Sequence, residues 1–478
     1  MERKADILLS AAVFFTILGR KFNKPDHYFL GDKANDKRFA ATISFWFRYR
    51  GRAGTALARG INASPVARAS KALEDRGSIS TEDLSRDETF WANIRRGFDL
   101  PPSIINLDNG YCNPLSRLTA NDLVSRARYI EQLPAKRLDE LYSNVTGKLV
   151  RPGVARVLGV PANEISLVRN TTEALDTVIL GLPMKSGDEI VCSAHDYYAM
   201  LDAIEQRQKR DGIVIKMIRP PLPAPSLKIL AEHYEASITS KTKLVLVTHA
   251  SNMSGQLFPV KRIAAAAHRV GAEVAVDGAQ TMALLNYKIA DLDCDYFGAS
   301  LHKWLMAPIG MGVLWMRPQH VSKVWPLIPP SPGVAGMMRF EWCGTFPEFI
   351  SSAAFPAIAF HEKLGAAQKE TRIRYLGKYW REKIEKLPGV RFYTTDSSDS
   401  TCGLGILEIE GIDSAKLQDH LWRRHKILVQ YMNGGPRAPE LRGIRVTPNI
   451  YTSLPELDKF VNVIAGIAKR GLASAFLQ

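Results

Sequence analysis

The spacing of hydrophobic positions changes near residue 90 of this 478-residue chain. From there, short runs rich in β-branched residues alternate with stretches whose apolar residues recur every three or four positions. This pattern predicts β-α-β units around a mostly parallel sheet flanked by helices, an α/β fold. The predicted strands of this sheet are 189–193, 213–218, 243–248, 273–277, 295–299 and 311–316. Residues 172–182 and 259–270 are predicted as helices between them.

After Pro332 the alternation becomes looser, which predicts a smaller α+β domain. The predicted elements here are one long helix at 355–387, strands at 390–393, 403–409 and 443–446, and helices at 414–425 and 454–469. The predicted domain organisation is an N-terminal extension (1–85), a large α/β domain (86–330) and a small C-terminal α+β domain (331–478).

The N-terminal extension contains an apolar run at 7–18 that follows Arg3 and Lys4. Its length resembles the apolar core of a signal peptide and is short of the about 20 residues that a membrane-spanning helix needs. Asp6 lies directly beside it, and no small-residue cleavage site follows nearby. We interpret this region as a disordered or targeting extension and expect a cytoplasmic protein. Export or membrane anchoring through this region is the alternative.

Composition narrows the classes of function. The chain carries 63 Lys+Arg against 48 Asp+Glu, a net charge of +15, and about half of this excess lies before residue 77. Because no basic stripe continues through the rest of the chain, we expect no nucleic-acid partner. The five cysteines are far apart and form no C-x-x-C pair, and no H-E-x-x-H occurs. We therefore expect free thiols and no metal site.

The chemistry-bearing residues begin with Lys303, which follows an apolar strand and precedes the Pro/Gly-rich turn 307–312. A lysine at such a strand end can be partly desolvated, which lowers its pKa and makes the amine a nucleophile. Asp277 ends the strand 273–277 and is followed by Gln280. Ligand-binding residues gather at the carboxyl ends of parallel strands, where an Asp can pair with a cationic ring nitrogen. Taken alone, Lys303 is also compatible with a plain surface lysine, and Asp277 with an aspartate that caps the following turn.

Thr171 and Thr172 open a predicted helix, so unpaired N–H groups and the positive end of the helix dipole are available to a phosphate. A plain N-cap is the alternative for this segment. Pyridoxal 5′-phosphate (PLP) needs all three features together: a donor cluster for its phosphate, an acid for its ring nitrogen and an amine for its aldehyde.

Three motifs carry a family resemblance: T-H-A-S-N at 248–252, V-D-G-A-Q at 276–280 and S-L-H-K at 300–303. With them, residues 90–470 resemble the class V aminotransferase family of fold-type I PLP enzymes, which includes cysteine desulfurases, kynureninases and isopenicillin N epimerases. The segment I-N-L-D-N-G-Y-C-N-P at 105–114 resembles the isopenicillin N epimerase-like branch.

The resemblance implies a role for each matching residue. Lys303 would form the internal aldimine with PLP and move the Cα proton, and Asp277 would keep the ring nitrogen protonated. Tyr197 would stack on the ring, with His195 as its rival. The remaining cofactor contacts would be Gln280 and Asn252 at the ring hydroxyl and Thr171, Thr172, Ser300 and His302 at the phosphate. Gly344-Thr345 resembles the step that reaches the neighbouring subunit's phosphate, which implies a homodimer with shared active sites.

The resemblance also implies a substrate side. Arg445 would bind the α-carboxylate of an amino acid through its planar fork, although a surface arginine is the alternative. Asn109 would line the same side. Desulfurases carry a catalytic cysteine before this arginine, but residues 429–442 contain none, which disfavours that activity. The glycines of this segment favour a mobile lid, and a plain surface loop is the equal alternative.

These observations predict a dimeric PLP enzyme that acts at the Cα of an amino acid, by transamination or epimerisation. A PLP-dependent C–S lyase working by β-elimination is the alternative. A PLP-fold protein with a binding role and no catalysis is the third.

Overall fold

The computed structural model describes residues 79–395, 397 and 399–470, and all of these belong to one compact unit. The predictions for residues 1–78 lie outside the described residues, and the predicted domain boundary at 330 stays a prediction. None of the described helices is long and apolar enough to cross a membrane.

A seven-stranded sheet forms the centre of the described unit, in the order β2-β8-β7-β6-β5-β3-β4. Its strands are β2 (Ile165–Val168), β3 (Glu189–Ser193), β4 (Val214–Ile218), β5 (Thr242–Thr248), β6 (Glu273–Asp277), β7 (Tyr296–Ser300) and β8 (Gly312–Met316). β4, β3, β5, β6 and β7 are parallel neighbours, and β8 runs antiparallel to both β7 and β2. The predicted α/β fold with a mostly parallel sheet is confirmed.

The carboxyl ends of three central strands lie side by side. Thr248 at the end of β5 pairs with Asp277 at the end of β6, and Asp277 pairs with Gly298 in β7. These strands are buried on both faces, as their continuous apolar runs predict for a parallel sheet between helices. This edge therefore gathers the ends of all three motif-bearing strands.

Helices cover both faces of the sheet and extend around it. Those up to β8 are α1 (Thr81–Arg86), α2 (Glu88–Arg95), α3 (Arg117–Glu131), α4 (Pro134–Leu141), a π-helix (Tyr142–Val150), α5 (Arg151–Leu158), α6 (Thr171–Gly181), α7 (Tyr198–Asp211), α8 (Leu227–Ser237), α9 (Val260–His268) and α10 (Ile289–Leu292). Leu175 and Val178 of α6 and Leu201 of α7 pack with Ile190 and Leu246 of the sheet in one apolar core.

A second, four-stranded antiparallel sheet lies in the C-terminal part, in the order β12-β13-β10-β9. Its strands are β9 (Val390–Phe392), β10 (Gly405–Ile409), β12 (Gln430–Met432) and β13 (Gly443–Val446). The helices of this part are α11 (Glu348–Ser352), α12 (Phe355–Leu364), α13 (Ala366–Glu382), α14 (Ser414–His425) and α15 (Leu454–Arg470).

The predicted single helix over 355–387 is wrong. Two helices, α12 and α13, take its place, and Gly365 separates them with a φ of 90°. That backbone conformation lies outside the helical region and is one that glycine adopts without a steric cost. The chain therefore turns at Gly365. The apolar periodicity continues on both sides of this glycine, so the periodicity alone does not reveal the break.

Two segments that are far apart in the described chain meet in a short parallel pairing. β1 (Ile105–Asn106) pairs with β11 (Ile427–Leu428), and an isolated bridge continues the pairing from Asp108 to Thr447. The guanidinium of Arg95 also forms an ion pair of 2.7 Å with Glu456. Residues 105–113 are thereby carried to the C-terminal sheet, which positions the second half of the site.

Candidate active site

Lys303 lies three residues beyond the end of β7, on the turn that leads to β8. The loop before it is fixed to residues 109–113, because the N–H of Asn113 donates to the carbonyl of His302 (3.1 Å) and its side-chain amide donates to the carbonyl of Lys303 (2.9 Å). Burial lowers the pKa of Lys303 to about 8, and the nearby carboxylate of Asp277 opposes this shift. The amine is therefore partly neutral near physiological pH, as nucleophilic and general-base lysines require.

Asp277 is buried at the end of β6, and its Oδ1 atom accepts a hydrogen bond of 2.8 Å from the N–H of Ala279. Burial raises the pKa of this carboxyl, whereas the positive charge of Lys303 lowers it. A second buried acid, Asp196, lies behind it and accepts from the N–H groups of Ser193 (2.7 Å) and Thr248 (3.1 Å). Asp277 thus has one oxygen fixed by the backbone and is aimed by its strand toward Lys303.

The predicted phosphate seat forms at the start of α6. Asn170 caps this helix by accepting from the N–H of Glu173, and the N–H of Thr171 donates to the hydroxyl of Ser300 (2.9 Å). The two hydroxyls of Thr171 and Ser300 are 2.7 Å apart. Gly312 allows this arrangement, because a Cβ atom there would stand 2.6 Å from the backbone of Asn170. The structure therefore brings the start of α6 and the end of β7 together.

The last two predicted phosphate ligands, Thr172 and His302, differ in the hydrogen bonds that they make within the protein. The hydroxyl of Thr172 makes no hydrogen bond to any residue that the structure describes. His302 has its Nδ1 atom 3.2 Å from the carbonyl of Met311, so Nδ1 carries a proton and Nε2 is left over. Burial lowers the pKa of His302, as does the charge of Lys303. A phosphate dianion at this position would oppose both effects and favour a second proton on the ring.

Of the two candidates for ring stacking, Tyr197 lies nearer to the chemistry. Burial raises the pKa of Tyr197, and Tyr198, Tyr111 and Asp277 act in the same direction. His195 is fully buried, and its Nε2 atom lies 3.0 Å from the carboxylate of Glu440. The position of Tyr197 at the start of α7 therefore favours it over His195.

Gln280 and Asn252 are both present at the same edge but are partly engaged. The side-chain amide of Gln280 donates to the carbonyl of Gly110 (2.8 Å) and its oxygen accepts from the indole of Trp304 (3.0 Å). The backbone carbonyl of Asn252 accepts from Arg445, while its side chain has no hydrogen-bond partner among the described residues. One N–H of Gln280 and the whole amide of Asn252 are available to a ligand.

Arg445 lies in β13, close enough to Lys303 for its charge to act on the lysine's pKa. Its Nη2 atom donates to Asp108 (2.7 Å), its Nη1 atom donates to the carbonyl of Asn252 (2.9 Å), and its Nε atom is buried without a partner. The backbone of Gly110 covers the guanidinium, since a Cβ atom there would stand 3.2 Å from its central carbon. Arg445 is therefore a buried side chain of the site, and the surface-arginine alternative is excluded by its 4% exposure.

Asn109 is fully buried and has a complete set of protein partners. Its amide donates to the carbonyls of Thr447 (2.7 Å) and Asn106 (3.1 Å), and its oxygen accepts from the hydroxyl of Tyr451 (2.6 Å). These bonds fix the loop that carries Asp108 and Gly110. A direct contact between Asn109 and a substrate stays a prediction.

Thr345 is not joined to these residues. It is exposed, follows Gly344 with a φ of 80°, and makes no hydrogen bond to the described part of the chain. Burial raises the pKa of the neighbouring Cys343 thiol, and the charges of Glu173 and Arg169 at the start of α6 act on it as well. The loop that carries Thr345 therefore lies near the start of α6, and Thr345 has no hydrogen-bond partner among the described residues.

The segment 429–442, predicted as a lid or a surface loop, is attached to the large sheet's helices. Arg437 forms ion pairs with Asp202 (2.6 Å) and Glu205 (2.7 Å) of α7, and Glu440 contacts His195. Arg219 also donates to the carbonyl of Arg437. The segment therefore lies closed against α7, next to Tyr197.

Two residues of the site had not been singled out for a role there. Asp108 accepts a hydrogen bond from Arg445. Burial raises the pKa of the Cys112 thiol; the charge of Asp108 raises it further, and the charge of Lys303 lowers it. Both belong to the segment 105–114 whose family resemblance was visible. Their proximity to Lys303 depends on the pairing of β1 with β11, for which no local signal exists.

The family model described as Aminotransferase class-V matches residues 143–440. The chain belongs to this family. Its members are PLP-dependent enzymes, and this class-V chain is an enzyme. It is 28% identical to an isopenicillin N epimerase of Streptomyces clavuligerus over 395 residues, which cover 78% of this chain and 97% of that protein.

Desulfurases are also among the class-V relatives. A probable cysteine desulfurase of Halalkalibacterium halodurans is 29% identical over 269 residues, 54% of this chain and 65% of that protein. The apo structure of a cysteine desulfurase from Thermococcus onnurineus NA1 superposes with a TM-score of 0.70 at 22% identity, covering 78% of this chain and 97% of that one. This likeness confirms the fold-type I architecture.

The residues present in this class-V chain fit PLP. A partly neutral lysine, a buried carboxylate with one oxygen that accepts from no described residue, and hydroxyls at a helix start provide the three anchors. The donor set matches an aldehyde, a protonated pyridine nitrogen and a phosphate respectively.

Proposed function

We propose that this class-V enzyme acts at the Cα atom of an amino acid, by transamination or epimerisation. The observation that supports the proposal is the position of Lys303 between Asp277 and Arg445. Burial lowers the pKa of Lys303, and both side chains lie near enough to act on it, Asp277 raising it and Arg445 lowering it. One amine thus adjoins the acid suited to a ring nitrogen and the cation suited to a carboxylate.

The cofactor would be held by residues at or after the ends of five strands, β2, β3, β5, β6 and β7. Asp277 would bind the ring nitrogen, Tyr197 would stack on the ring, and Gln280 with Asn252 would contact its hydroxyl. The phosphate would be bound by Thr171, Thr172, Ser300 and His302. Bound PLP supplies an electron sink that stabilises negative charge at the Cα atom of an attached amino acid.

The protein's own groups then orient the substrate and move one proton. Arg445 attracts the α-carboxylate, which orients the Cα–H bond relative to Lys303. The Nζ atom of Lys303 accepts the Cα proton, which its partly neutral state near pH 8 permits. Asp277 keeps the proton on the ring nitrogen, where its negative charge has the largest effect.

The site to which the proton returns decides the product. Return of the proton to the opposite face of Cα would invert the amino acid, whereas transamination would use the chemistry that bound PLP supplies. The similarity to an isopenicillin N epimerase supports the first outcome. Lys303 would deliver the proton in transamination, whereas inversion requires a different group on the opposite face of Cα, because Lys303 removes the proton from its own face.

A C–S lyase that works by β-elimination is the second candidate. The similarity to cysteine desulfurases favours it, and elimination needs no thiol nucleophile in the segment 429–442. After Lys303 takes the Cα proton, a thiolate would leave from Cβ. Pyruvate and ammonia formed together from a cysteine conjugate would identify this activity, whereas neither epimerisation nor transamination releases both products.

We infer a homodimer in which Thr345 of each subunit serves its neighbour. Large apolar side chains are exposed in and near the loop region that contains Thr345: Ile309, Trp325, Leu327, Ile328 and Trp342. Exposed apolar groups in one region are typical of protein interfaces. Sedimentation analysis would measure the mass, and a monomer that is fully active would contradict shared sites.

The absorption spectrum of the purified full chain, titrated with L- and D-amino acids, tests the proposed function. A visible cofactor band that is replaced by the pyridoxamine spectrum would identify a transaminase and its donor. A persistent band together with entry of solvent deuterium at Cα would identify epimerisation. Failure to take up added PLP at all would refute the proposed function.

A further inference from the structure

The guanidinium of Arg445 is already engaged by a carboxylate of its own chain. Its Nη2 atom donates to the Oδ1 atom of Asp108 at 2.7 Å, and the two side chains are only 5% and 11% exposed. The Nη1 atom donates to the carbonyl of Asn252. The resting site therefore contains a neutral buried ion pair where a substrate carboxylate is expected to bind.

A second carboxylate cannot simply join this pair. One N–H bond of Nη1 and one of Nη2 are already engaged, out of the five that a guanidinium carries, so a second carboxylate would have to share these nitrogens with Asn252 and Asp108. The backbone of Gly110 covers part of the fork, since a Cβ atom there would stand 3.2 Å from its central carbon and 3.4 Å from Nε. In addition, two carboxylates held within one buried fork repel each other, with a single positive charge to offset both.

Asp108 is built into its place by the backbone. Its N–H donates to the side-chain oxygen of Asn106 at 3.0 Å, and the residue forms a bridge with Thr447, two positions after Arg445 in the neighbouring strand. Asn109, directly after it, is buried with all its side-chain groups bonded. Asp108 is therefore a fixed component of the site and not a mobile surface acid.

We propose that Asp108 determines substrate specificity by occupying Arg445 as an internal carboxylate, which a free α-carboxylate must displace in order to bind. This rests on the proposed function, in which Arg445 faces the substrate. The consequence is a weakened preference for free α-carboxylates. Amines whose carboxylate is absent or blocked as an amide are accepted at little disadvantage.

The test uses the full chain with PLP added and measures binding of propanoate and propanamide, which lack an amine, by calorimetric titration. In the wild type, propanoate should bind less than tenfold more tightly than propanamide. Asp108→Asn keeps the size of the side chain and removes its charge, so the affinity for propanoate should rise at least tenfold while that for propanamide stays constant.

Asp419→Asn is the matched control, because it removes the same charge from an Asp–Arg pair of equal length (2.7 Å) on the exposed surface of α14. Propanoate binding should not change in this variant. If propanoate binds Asp108→Asn as weakly as the wild type, or more weakly, then Asp108 only orients Arg445 and the proposal is wrong.

Two further measurements keep the outcome clear. If Asp108→Asn does not fold, a wild-type preference of tenfold or more for propanoate over propanamide overturns the proposal, and a smaller one supports it. The visible spectrum of each sample reports PLP uptake separately. A chain that takes up no PLP refutes the proposed function, whereas propanoate titration of the same chain still tests the competition at Arg445.

Discussion

The two halves of the active site are held by different kinds of contact. The cofactor side consists of Lys303, Asp277, Thr171 and Ser300, and each is at or next to the end of an element of the seven-stranded sheet. The substrate side consists of Asp108, Arg445 and the segment 429–442. Its members come from opposite ends of the described chain and meet through side-chain ion pairs.

The two sides differ in what fixes the positions of their functional groups. On the cofactor side, strand register and backbone hydrogen bonds fix the functional groups, so a substitution removes chemistry with little change in shape. On the substrate side, a buried charge pair adds to the backbone pairing that places Asp108 beside Arg445. Removing one charge there changes binding and stability at once.

The largest expected effect is on the cofactor side. Lys303→Ala should reduce turnover by about 10³-fold or more, because both the covalent attachment of the cofactor and the proton transfer are lost. Steady-state assays with the responsive amino acid measure this effect. Its far-ultraviolet circular dichroism should match the wild type, since the backbone bonds around residue 303 remain. Normal turnover in this variant would refute the whole assignment.

Arg445→Ala tests the substrate side, where binding and stability should change together. The buried Asp108 loses its counter-charge, which should lower the free energy of unfolding by about 3–5 kcal/mol. Urea unfolding measures this, and adding Asp108→Asn to the same chain should recover most of the loss. Amino acids should also lose up to about 10-fold in kcat/KM, whereas amines without a carboxylate should not. Equal losses for both substrate types would contradict the role of Arg445.

Lys369→Met probes the support behind the cofactor side. Lys369 of α13 is fully buried and donates to the carbonyl of Trp304, with His361 of α12 and Lys288 as the charged or titratable groups nearby. Burial lowers the pKa of Lys369 to about 7, so the folded state binds fewer protons than the unfolded state between pH 7 and about 10. The stability of the wild type relative to the Met variant therefore rises with pH across this window.

We accordingly expect Lys369→Met to be more stable than the wild type by about 1–3 kcal/mol at pH 6, with a difference that shrinks toward pH 10. Thermal unfolding at a series of pH values measures it. A difference that is constant from pH 6 to 10 would show that Lys369 does not titrate in this window.

The smallest effect is expected at the segment 429–442. Arg437→Ala removes two partly exposed ion pairs to α7, each worth about 0.2–1 kcal/mol, so amide hydrogen exchange in residues 433–441 should become about 2-fold to 10-fold faster. Arg423→Ala, which removes an exposed pair within α14, is the control and should leave that exchange unchanged. Unchanged exchange in Arg437→Ala would mean that the segment is held by its buried residues alone.

The cofactor side was largely predictable because its signals are local. Lys303, Asp277 and Thr171 each follow or open a predicted element, and parallel strands necessarily bring their carboxyl ends to one edge. Most strands of the large sheet were predicted within one or two residues, because continuous apolar runs mark strands buried on both faces. The fold class followed from the same alternation.

The substrate side was less predictable because its contacts span the chain. Asp108 and Arg445 are separated by 337 positions, and no periodicity links them. The short strands β1, β11 and β12 contain two or three residues each and carry too little pattern to detect. The break at Gly365 was missed for a related reason, since apolar periodicity continues on both sides of one glycine.

The pairing of β1 with β11 also sets an order for assembly on the ribosome. All seven strands of the central sheet have been synthesised once Met316 has emerged, whereas β11 and Arg445 follow later in the chain. Because domains fold as units during synthesis, the sheet can form before the part of the chain that carries β11 and Arg445 has been made. A nascent chain would therefore be able to enclose a cofactor before it can tell one amine from another.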